Sequence, residues 1–354
     1  MFIVRILLLP FSFLYGIVTK IRNILFDTGI LKSKEFKTYS ISVGNIAVGG
    51  TGKSPHVEYL IRLFEETKRI ATLSRGYKRE SKGFVLANSK STFKDIGDEP
   101  MQFHSKFKSI NVAVDGDRRR GIVKLQDDIG PDLILLDDCF QHRWIKPSLD
   151  LVLLDYSSVG EKQYMLPSGE LREWKSGINR ANIIVVSKSP HIYSPIEHRR
   201  ITELIGPKHH QEIFFSYIVY KEIIPFNNRA KALFEKNDFD MNMFKVNVFT
   251  GIANVEPLID HLKLRSKDVI QSEFKDHHSF KPSDILRVIS KFKEIISSDK
   301  ILITTEKDAM RLKDERLFPL LEEFPVFYLP IEIKFHKTNE GKLSFDQTII
   351  DHVQ

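Results

Sequence analysis

A lysine and a serine that follow three closely spaced glycines could bind the phosphates of a nucleotide. Residues 42–55 read S-V-G-N-I-A-V-G-G-T-G-K-S-P, and the glycine-rich turn consists of Gly49, Gly50, Thr51, Gly52, Lys53 and Ser54. Glycines let the backbone turn sharply and point its N–H groups at an anion. Such a lysine reaches the β- and γ-phosphates, and the serine hydroxyl is a Mg²⁺ ligand. The segment predicts a phosphate-binding loop, although Ala47 replaces the first glycine of the strict pattern.

Two carboxylates at the end of an apolar run could hold a metal ion. Residues 132–138 read D-L-I-L-L-D-D, so Asp137 and Asp138 directly follow a predicted buried strand. A carboxylate delivered to a sheet edge in this way holds Mg²⁺ or its water shell. Many strands end in aspartate, but an acid pair downstream of a phosphate loop favours the metal-binding interpretation. Gln141 and His142 follow, and an isolated histidine here is more often a surface or supporting residue than a ligand.

The sequence G-D-E-P, which begins at Gly97, places two acids where a helix begins. Asp98 suits the N-cap position of that helix, and it could also accept the proton of a substrate hydroxyl. The two roles are compatible, and Glu99 lies beside either. The D-H-H triple around His277 is a second candidate for acid–base chemistry, although it contains too few ligands for a metal site.

Arginines near the ends of two predicted strands could bind a phosphate group. Arg75 follows one strand, and three consecutive arginines occupy residues 118–120. Guanidinium groups bind phosphate oxygens bidentately. For the triple, a solvated helix face is an equally good interpretation.

Several apolar runs are continuous rather than alternating, which is typical of strands buried on both faces of a parallel sheet. They lie at residues 70–73, 111–114, 133–136, 151–154 and 183–186. Helical spacing occurs between them, at residues 57–67, 99–107 and 118–128. This alternation predicts an α/β fold with a doubly wound parallel sheet of the P-loop NTPase type, whose ligands bind at the carboxyl ends of the strands.

The pattern changes near residue 212, and a second, smaller α/β set of elements follows. Residues 326–335 alternate as one extended strand, which we expect to pair with residues 213–224 as a two-stranded linker. The predicted parts are an N-terminal membrane-associated helix at 1–30, a nucleotide-binding domain at 31–212, a linker strand at 213–226, a smaller domain at 227–325, and a return strand with a C-terminal helix at 326–354.

Composition excludes several classes of protein. The 354 residues contain 42% hydrophobic and 28% charged residues, which is ordinary for a globular chain. A net charge of +7 is modest for this length, so no nucleic-acid partner is implied. The single cysteine, Cys139, excludes an internal disulfide and agrees with a reducing compartment. No sequence feature indicates an obligate protein partner.

The first residues are unusually apolar. Residues 6–18 form a nearly apolar run of thirteen, too short to span ~30 Å of hydrocarbon as a helix. Six basic residues oppose two acids up to Lys37, a local charge of +4. A helix that lies in the face of a membrane fits best, so we expect a membrane surface as a partner. A buried core helix and a secretory signal are the alternatives, but no cleavage site follows.

Eight short motifs occur in an order that resembles one known family. They are the phosphate loop, S-R-G-Y at 74, G-D-E-P at 97, D-D-C-F-Q-H at 137, L-P-S-G-E-L-R-E at 166, T-G-I-A-N at 250, D-H-H at 276 and T-T-E-K-D at 304. Together they resemble the tetraacyldisaccharide 4′-kinases of lipid A biosynthesis. Three positions depart from the family's pattern: Cys139 replaces a frequent glycine, and Glu170 and Trp174 replace prolines.

The resemblance implies that ATP phosphorylates the 4′-hydroxyl of an acylated disaccharide 1-phosphate lipid, giving lipid IVA at the cytoplasmic face of the bacterial inner membrane. It implies ATP and Mg²⁺ as cofactors and a catalytic pair of Asp98 and His277. It further implies nucleotide contacts by the glycine-rich turn and Gln141, and metal contacts by Ser54, Asp137 and Asp138. Substrate contacts would come from Arg75, Glu99, His142, Arg172 and Glu173.

Two other classes of protein share part of this pattern. A membrane-associated nucleotide switch needs a phosphate loop, an acid-tipped strand and an anchor, but no second acid pair. A soluble small-molecule kinase or ligase needs no apolar first helix. The acids at Asp98 and Glu99, apart from the phosphate loop, favour a kinase.

Overall fold

The structure is a computed structural model that describes residues 2–236, 239–252, 254–275, 278–338 and 341–354. The chain forms two compact units. Unit 1 comprises Met1–Ile218 with Ile333–Gln354, and unit 2 comprises Val219–Glu332.

The described residues include fourteen strands that form two sheets. In chain order they are β1 (Tyr39–Asn45), β2 (Ile70–Ser74), β3 (Val85–Leu86), β4 (Asn111–Val114), β5 (Leu133–Asp137), β6 (Leu149–Asp155), β7 (Ile183–Ser187), β8 (Glu212–Tyr220), β9 (Ile224–Pro225), β10 (Lys245–Thr250), β11 (Asp268–Glu273), β12 (Lys300–Thr305), β13 (Val326–Leu329) and β14 (Ile331–Phe335).

Twelve α-helices are present in the same residues. They are α1 (Phe2–Asp27), α2 (Lys53–Phe64), α3 (Phe93–Ile96), α4 (Asp98–Lys106), α5 (Arg118–Asp128), α6 (Pro195–Ile205), α7 (Asn228–Phe234), α8 (Glu256–Lys263), α9 (Pro282–Glu294), α10 (Glu306–Leu312), α11 (Phe318–Leu321) and α12 (Phe345–Val353).

The larger sheet has nine strands in the order β14-β8-β7-β6-β1-β5-β2-β4-β3. From β4 across to β8 the neighbouring strands are parallel. The chain extends this sheet first on one side of β1 and then on the other. The carboxyl end of β1 therefore lies at a topological switch point, where doubly wound sheets bind their ligands. The predicted doubly wound α/β fold is confirmed.

Burial explains why these segments became strands and helices. All five residues of β5 are buried, as expected for a strand covered on both faces. In α2 the buried apolar residues recur at helical spacing, at Val57, Leu60, Ile61 and Phe64, and they pack on the same side of the sheet as Ile41 and Val43 of β1. The helix that follows the glycine-rich turn is thereby fixed against the strand that precedes it.

Unit 2 contains the smaller sheet, in the order β11-β10-β12-β13-β9. Its pairs are parallel except for β9 with β13. Buried aromatic and aliphatic residues fill both faces, among them Phe249 and Phe327. Unit 2 is therefore a small α/β unit with its own core.

The segment predicted as one strand at residues 326–335 is two strands. Pro330 separates β13, which belongs to the smaller sheet, from β14, which lies beside β8 in the larger one. Proline has no N–H to donate to a ladder, so pairing stops there and the chain changes sheets.

Helix α1 is longer than the apolar run predicts. It continues to Asp27, and by length and composition residues 5–27 could cross a membrane. However, polar contacts join it to the rest of unit 1 near both ends. Ser168 Oγ donates to the carbonyl of Arg5, and Arg143 donates to the carbonyl of Asn23. The helix therefore lies along unit 1, with an outward side that is largely apolar.

We predict that filling the contact between Gly16 and Trp174 weakens the docking of α1 around this contact. Trp174 Nε1 donates to the Gly16 carbonyl at 2.8 Å, and a Cβ on Gly16 would lie 2.7 Å from the indole ring. In a Trp144→Phe background, Trp174 is the sole tryptophan. Gly16→Leu should then shift its emission to longer wavelength and speed proteolytic cleavage after α1.

The matched control is Leu7→Ala, because Leu7 lies on the same helix with its side chain exposed. Unchanged emission in Gly16→Leu, or an equal shift in Leu7→Ala, would contradict the docking contact.

Candidate active site

The glycine-rich turn joins β1 to α2 and is held in shape by polar contacts. Gly49 and Gly52 have φ of 115° and 85°, which L side chains rarely adopt. Asn45 Nδ2 donates to Thr51 Oγ1 at 2.9 Å, and Ser187 Oγ donates to the Thr51 carbonyl at 2.8 Å. The loop is thus preformed at the start of α2, where Lys53 and Ser54 begin the helix and its N-terminal dipole favours an anion.

His56 fixes the end of this turn from within the core. Its Nδ1 lies 2.7 Å from the Gly52 carbonyl and its Nε2 lies 2.9 Å from Ser216 Oγ of β8. A carbonyl only accepts hydrogen bonds, so Nδ1 carries the proton and the Ser216 hydroxyl donates to Nε2. Burial lowers the pKa of His56 to about 4, against the opposing hydrogen bond to Gly52. The ring is therefore a neutral bridge.

Asp138 connects the glycine-rich turn to a substrate arginine predicted from the sequence. Its carboxylate lies 3.6 Å from Lys53 Nζ, and it accepts from Arg172 Nη1 at 2.8 and 3.0 Å. Burial raises the pKa of Asp138, but Lys53 and Arg172 outweigh that effect, so the pKa lies below its usual value. Asp138 is accordingly ionised at neutral pH, between two cations.

Asp137 is more deeply buried than Asp138 and has the opposite pKa shift. Burial raises its pKa to about 7, and the neighbouring Glu99 and Asp138 add to the shift. Its Oδ2 accepts from Ser74 Oγ at 3.3 Å, while Oδ1 has no partner among the described residues. A buried carboxylate oxygen with spare capacity and excess negative charge nearby suits a hard cation such as Mg²⁺.

Asp98 and Glu99 open α4, but Asp98 is not the N-cap. Gly97 occupies that position with φ 92°, and a Cβ there would lie 3.1 Å from the Tyr77 carbonyl. Only glycine adopts this conformation without strain, so the helix begins one residue earlier than an N-cap at Asp98 would give. Asp98 is the first helical residue, and its Oδ1 accepts from Glu99 N at 3.1 Å. A Cβ on Gly97 would also lie 3.3 Å from the Gly76 backbone after β2, the neighbour of β5, so the start of α4 lies near this edge of the sheet, and Glu99 contributes to the raised pKa of Asp137.

Gln141 and Glu173 belong to a hydrogen-bond network beside Asp138, which forms one wall of the site. Gln141 Nε2 donates to the Asn45 carbonyl and to Glu173 Oε1, at 2.6 and 2.9 Å. Glu173 is 3% exposed and also accepts from Arg180 Nη1 at 2.8 Å and from Asn23 Nδ2 at 3.1 Å. These partners occupy the Glu173 carboxylate, so in this structure it supports the site rather than facing outward.

Two other predicted residues, Arg75 and His142, lie less centrally, and a third is not among the described residues. Arg75 is exposed in the turn after β2. His142 follows Gln141, and burial together with Arg118 lowers its pKa to about 4, so its ring is neutral. His277 lies outside the described residues, as does the preceding aspartate of the D-H-H motif.

Several residues at the site were not found from the sequence. Asn45 orders the glycine-rich turn, and Arg180 neutralises Glu173. From α1, Tyr15 Oη donates to the Arg172 carbonyl and Arg22 donates to the Gln141 carbonyl. The sequence does contain a signal for these contacts of α1, because Arg22 and Asn23 are consecutive polar residues in an otherwise apolar segment.

The site combines a preformed phosphate loop and its lysine with two acids at the end of the neighbouring strand and a second acid pair. This combination defines a P-loop phosphotransferase. A sequence model of the family described as "Tetraacyldisaccharide-1-P 4′-kinase" matches residues 4–350. The chain belongs to this family, and it is a kinase.

Curated relatives cover nearly the whole chain. It is 42% identical over 351 residues to the tetraacyldisaccharide 4′-kinase of Parabacteroides distasonis, covering 98% of this chain and 94% of that protein. It is also 42% identical over 356 residues to the tetraacyldisaccharide 4′-kinase of Flavobacterium johnsoniae, covering 99% and 98%. A crystal structure described as LpxK from Aquifex aeolicus in complex with ATP has a TM-score of 0.72 and 27% identity, covering 99% of this chain and 100% of that one.

We predict that Glu173→Gln lowers stability as well as activity. Arg180 would lose a carboxylate partner, and because its side chain is 20% exposed we expect a loss of about 1–3 kcal/mol in the free energy of unfolding. Urea denaturation measures this. A purely substrate-binding glutamate would instead leave stability unchanged and raise only the KM for the lipid. Exposed Glu66→Gln is the control, since it removes a carboxylate outside the site.

Proposed function

We propose that the protein transfers the γ-phosphate of ATP to the 4′-hydroxyl of tetraacyldisaccharide 1-phosphate, a step of lipid A biosynthesis that gives lipid IVA. Membership of the kinase family supports the reaction class, and the names of the relatives support this acceptor. The observation that carries the proposal is the acid pair at the start of α4. Gly97, just before this pair, packs closely on Gly76 after β2, and β2 lies beside β5, so an acceptor bound there would lie near Asp138 and its partner Lys53.

Positioning and charge stabilisation carry most of the catalysis in such a transfer. The N–H groups of the glycine-rich turn and Lys53 hold the β- and γ-phosphates. Asp98 accepts or orients the proton of the acceptor hydroxyl, whose oxygen attacks the γ-phosphorus in line. Arg172, held by Asp138, lies where it can bind an anionic part of the substrate.

The side chains that would hold Mg²⁺ are Ser54, Asp137 and Asp138. When bound, the ion neutralises charge on the β- and γ-phosphates. The unpartnered oxygen of Asp137 and its raised pKa support this assignment. Gln141 is the proposed nucleotide contact, and Arg75, Glu99, His142 and Glu173 are the other proposed substrate contacts, of which Glu173 would act through its neighbours.

The partner of Asp98 in the proposed catalytic pair is His277. This assignment rests on the D-H-H motif and on family membership. A histidine beside the acid would tune or orient it for proton acceptance.

We predict that the wild-type protein transfers ³²P from ATP to tetraacyldisaccharide 1-phosphate in detergent with Mg²⁺. Asp98→Ala should lower kcat at least 100-fold, because proton acceptance is lost. His277→Ala should lower kcat with little change in the KM for ATP. Excess EDTA should abolish transfer.

Three results would contradict parts of this proposal. Labelled lipid at the wild-type rate from Asp98→Ala removes that residue from the chemistry. Wild-type kcat in His277→Ala removes the pair. Release of free phosphate without labelled lipid, from folded wild-type protein, would favour a nucleotide switch over a lipid kinase.

We also propose that α1 lies in the cytoplasmic surface of the inner membrane without crossing it. Its outward side carries large apolar side chains that are more than half exposed: Leu7, Phe11, Phe13, Leu14 and Val18. Its other side is hydrogen-bonded to unit 1, and a helix that crossed the bilayer would lose those contacts. An acylated acceptor would then be reached without leaving its bilayer.

We predict that Phe11→Glu/Leu14→Glu reduces sedimentation with phospholipid vesicles, because two charges enter the apolar side of α1. The KM for lipid presented in vesicles should rise, while the KM for ATP stays constant. The control is Ile192→Glu/Ile196→Glu, which changes two exposed isoleucines in and beside α6. Equal vesicle binding by the two double variants would contradict the proposed orientation.

A further inference from the structure

A buried glutamate joins the helix of the phosphate loop to the helix that begins with Asp98. Glu58 lies on α2, five residues after Lys53, and is 1% exposed. Its Oε1 accepts from Gln102 Nε2 at 2.7 Å, and its Oε2 lies 2.8 Å from Lys106 Nζ. Gln102 and Lys106 both belong to α4. The buried carboxylate thus accepts a hydrogen bond from an uncharged amide and forms an ion pair with a lysine, both on one neighbouring helix.

The spacing of these partners relates the contact to Asp98. Asp98, Gln102 and Lys106 are separated by four residues each, so they follow one face of α4. Gln102 lies just over one turn, about 6 Å, from Asp98 along the helix axis. The contacts with Glu58 therefore restrict both the rotation of α4 about its axis and its sliding along α2.

Apolar packing alone leaves some of this freedom. Phe103 is fully buried in the core that α2 also contributes to, and it holds α4 against the sheet. Met101 packs against the same core, but apolar contacts are not directional, so they fix the distance of α4 from the sheet better than its rotation. Arg62, which lies 3.2 Å from Glu58 Oε2, helps to neutralise the carboxylate from within α2. The polar contacts of Glu58 are directional, so they fix the rotation of α4 that apolar packing leaves free.

We infer that Glu58 is a positioning residue for phosphoryl transfer, setting Asp98 on α4 relative to the phosphate loop on α2. This inference rests on the proposed role of Asp98. The requirement is geometric: the acceptor oxygen and the γ-phosphate must meet in line, and a displacement of 1 Å can lower the rate 100-fold. Glu58 touches neither reactant, so its effect should fall on kcat and not on nucleotide binding.

The test compares Glu58→Gln with wild type. The substitution keeps the side-chain size but removes the ionic contact with Lys106. We expect kcat for ³²P transfer to fall roughly 10- to 100-fold, while the dissociation constant for ATP and Mg²⁺ changes less than about twofold. Lys106→Met removes the same contact from the α4 side and should likewise lower kcat without changing ATP affinity. This variant replaces Glu58→Gln in the test if Glu58→Gln does not fold.

The matched control is Tyr59→Phe on the adjacent position of α2. It removes the hydrogen bond from Tyr59 to Asp346 of α12 and leaves the contacts with α4 intact. We expect its kcat to stay within about twofold of wild type at a comparable melting temperature. A merely structural role of Glu58 predicts that the two variants behave alike once matched for stability.

Two outcomes would overturn the inference. One is wild-type kcat in folded Glu58→Gln, or in folded Lys106→Met where only that variant folds. The other is a parallel loss of kcat and ATP affinity, which would mean that the phosphate loop itself has moved. Failure of the proposed function is separate, because Asp98→Ala in the same assay reports it directly. An active Asp98→Ala refutes the base, whereas an inactive one with normal Glu58→Gln refutes only the positioning.

Discussion

The carboxylate of Asp138 holds together three segments that are far apart in the chain. It lies at the end of β5, contacts the first residue of α2 through Lys53, and binds the 166–173 loop through Arg172. The two contacts differ in kind. Arg172 donates at hydrogen-bond distance, whereas Lys53 Nζ stays 3.6 Å away, too far for a hydrogen bond. Lys53 is therefore held less tightly by Asp138 than Arg172 is.

The loop of Arg172 faces the site on one side and α1 on the other. Three consecutive residues make contacts to the helix: the Arg172 carbonyl, the Glu173 carboxylate and the Trp174 indole. The first two of these also contact Asp138 or Gln141 through their side chains. Any movement of α1 along unit 1 must therefore disturb the wall of the site. The position of a helix with an apolar outer side is therefore coupled to the polar residues of the site.

The sequence predicts those parts of the fold and site that depend on local pattern. The phosphate loop, β5 with its two acids, and the alternation of strands with helices are all local, because glycine conformations and apolar periodicity act over a few residues. The contacts of Glu58 with α4 and of α1 with the 172–174 segment join residues more than forty positions apart. No periodicity reports them. Pro330 and Gly97 are intermediate cases, because each marks the boundary of an element locally. The alternating residues around Pro330 nevertheless suggested one strand, and the acid after Gly97 suggested an N-cap one residue later.

Cys139 and Trp174, two of the positions noted above as departures from the family's pattern, illustrate the same contrast between local and distant contacts. Burial raises the pKa of the Cys139 thiol to about 12, and its side chain packs among Leu136 and Ile145 in the core. It therefore acts as a small apolar residue beside Asp138 and adds no reactive group. Trp174 differs, because a proline there would have no side-chain donor for the Gly16 carbonyl. In this chain the indole supplies a contact between α1 and the site loop, and Gly16 lacks the side chain that would block it. This one contact of α1 thus depends on both residues, so either substitution alone understates their joint role.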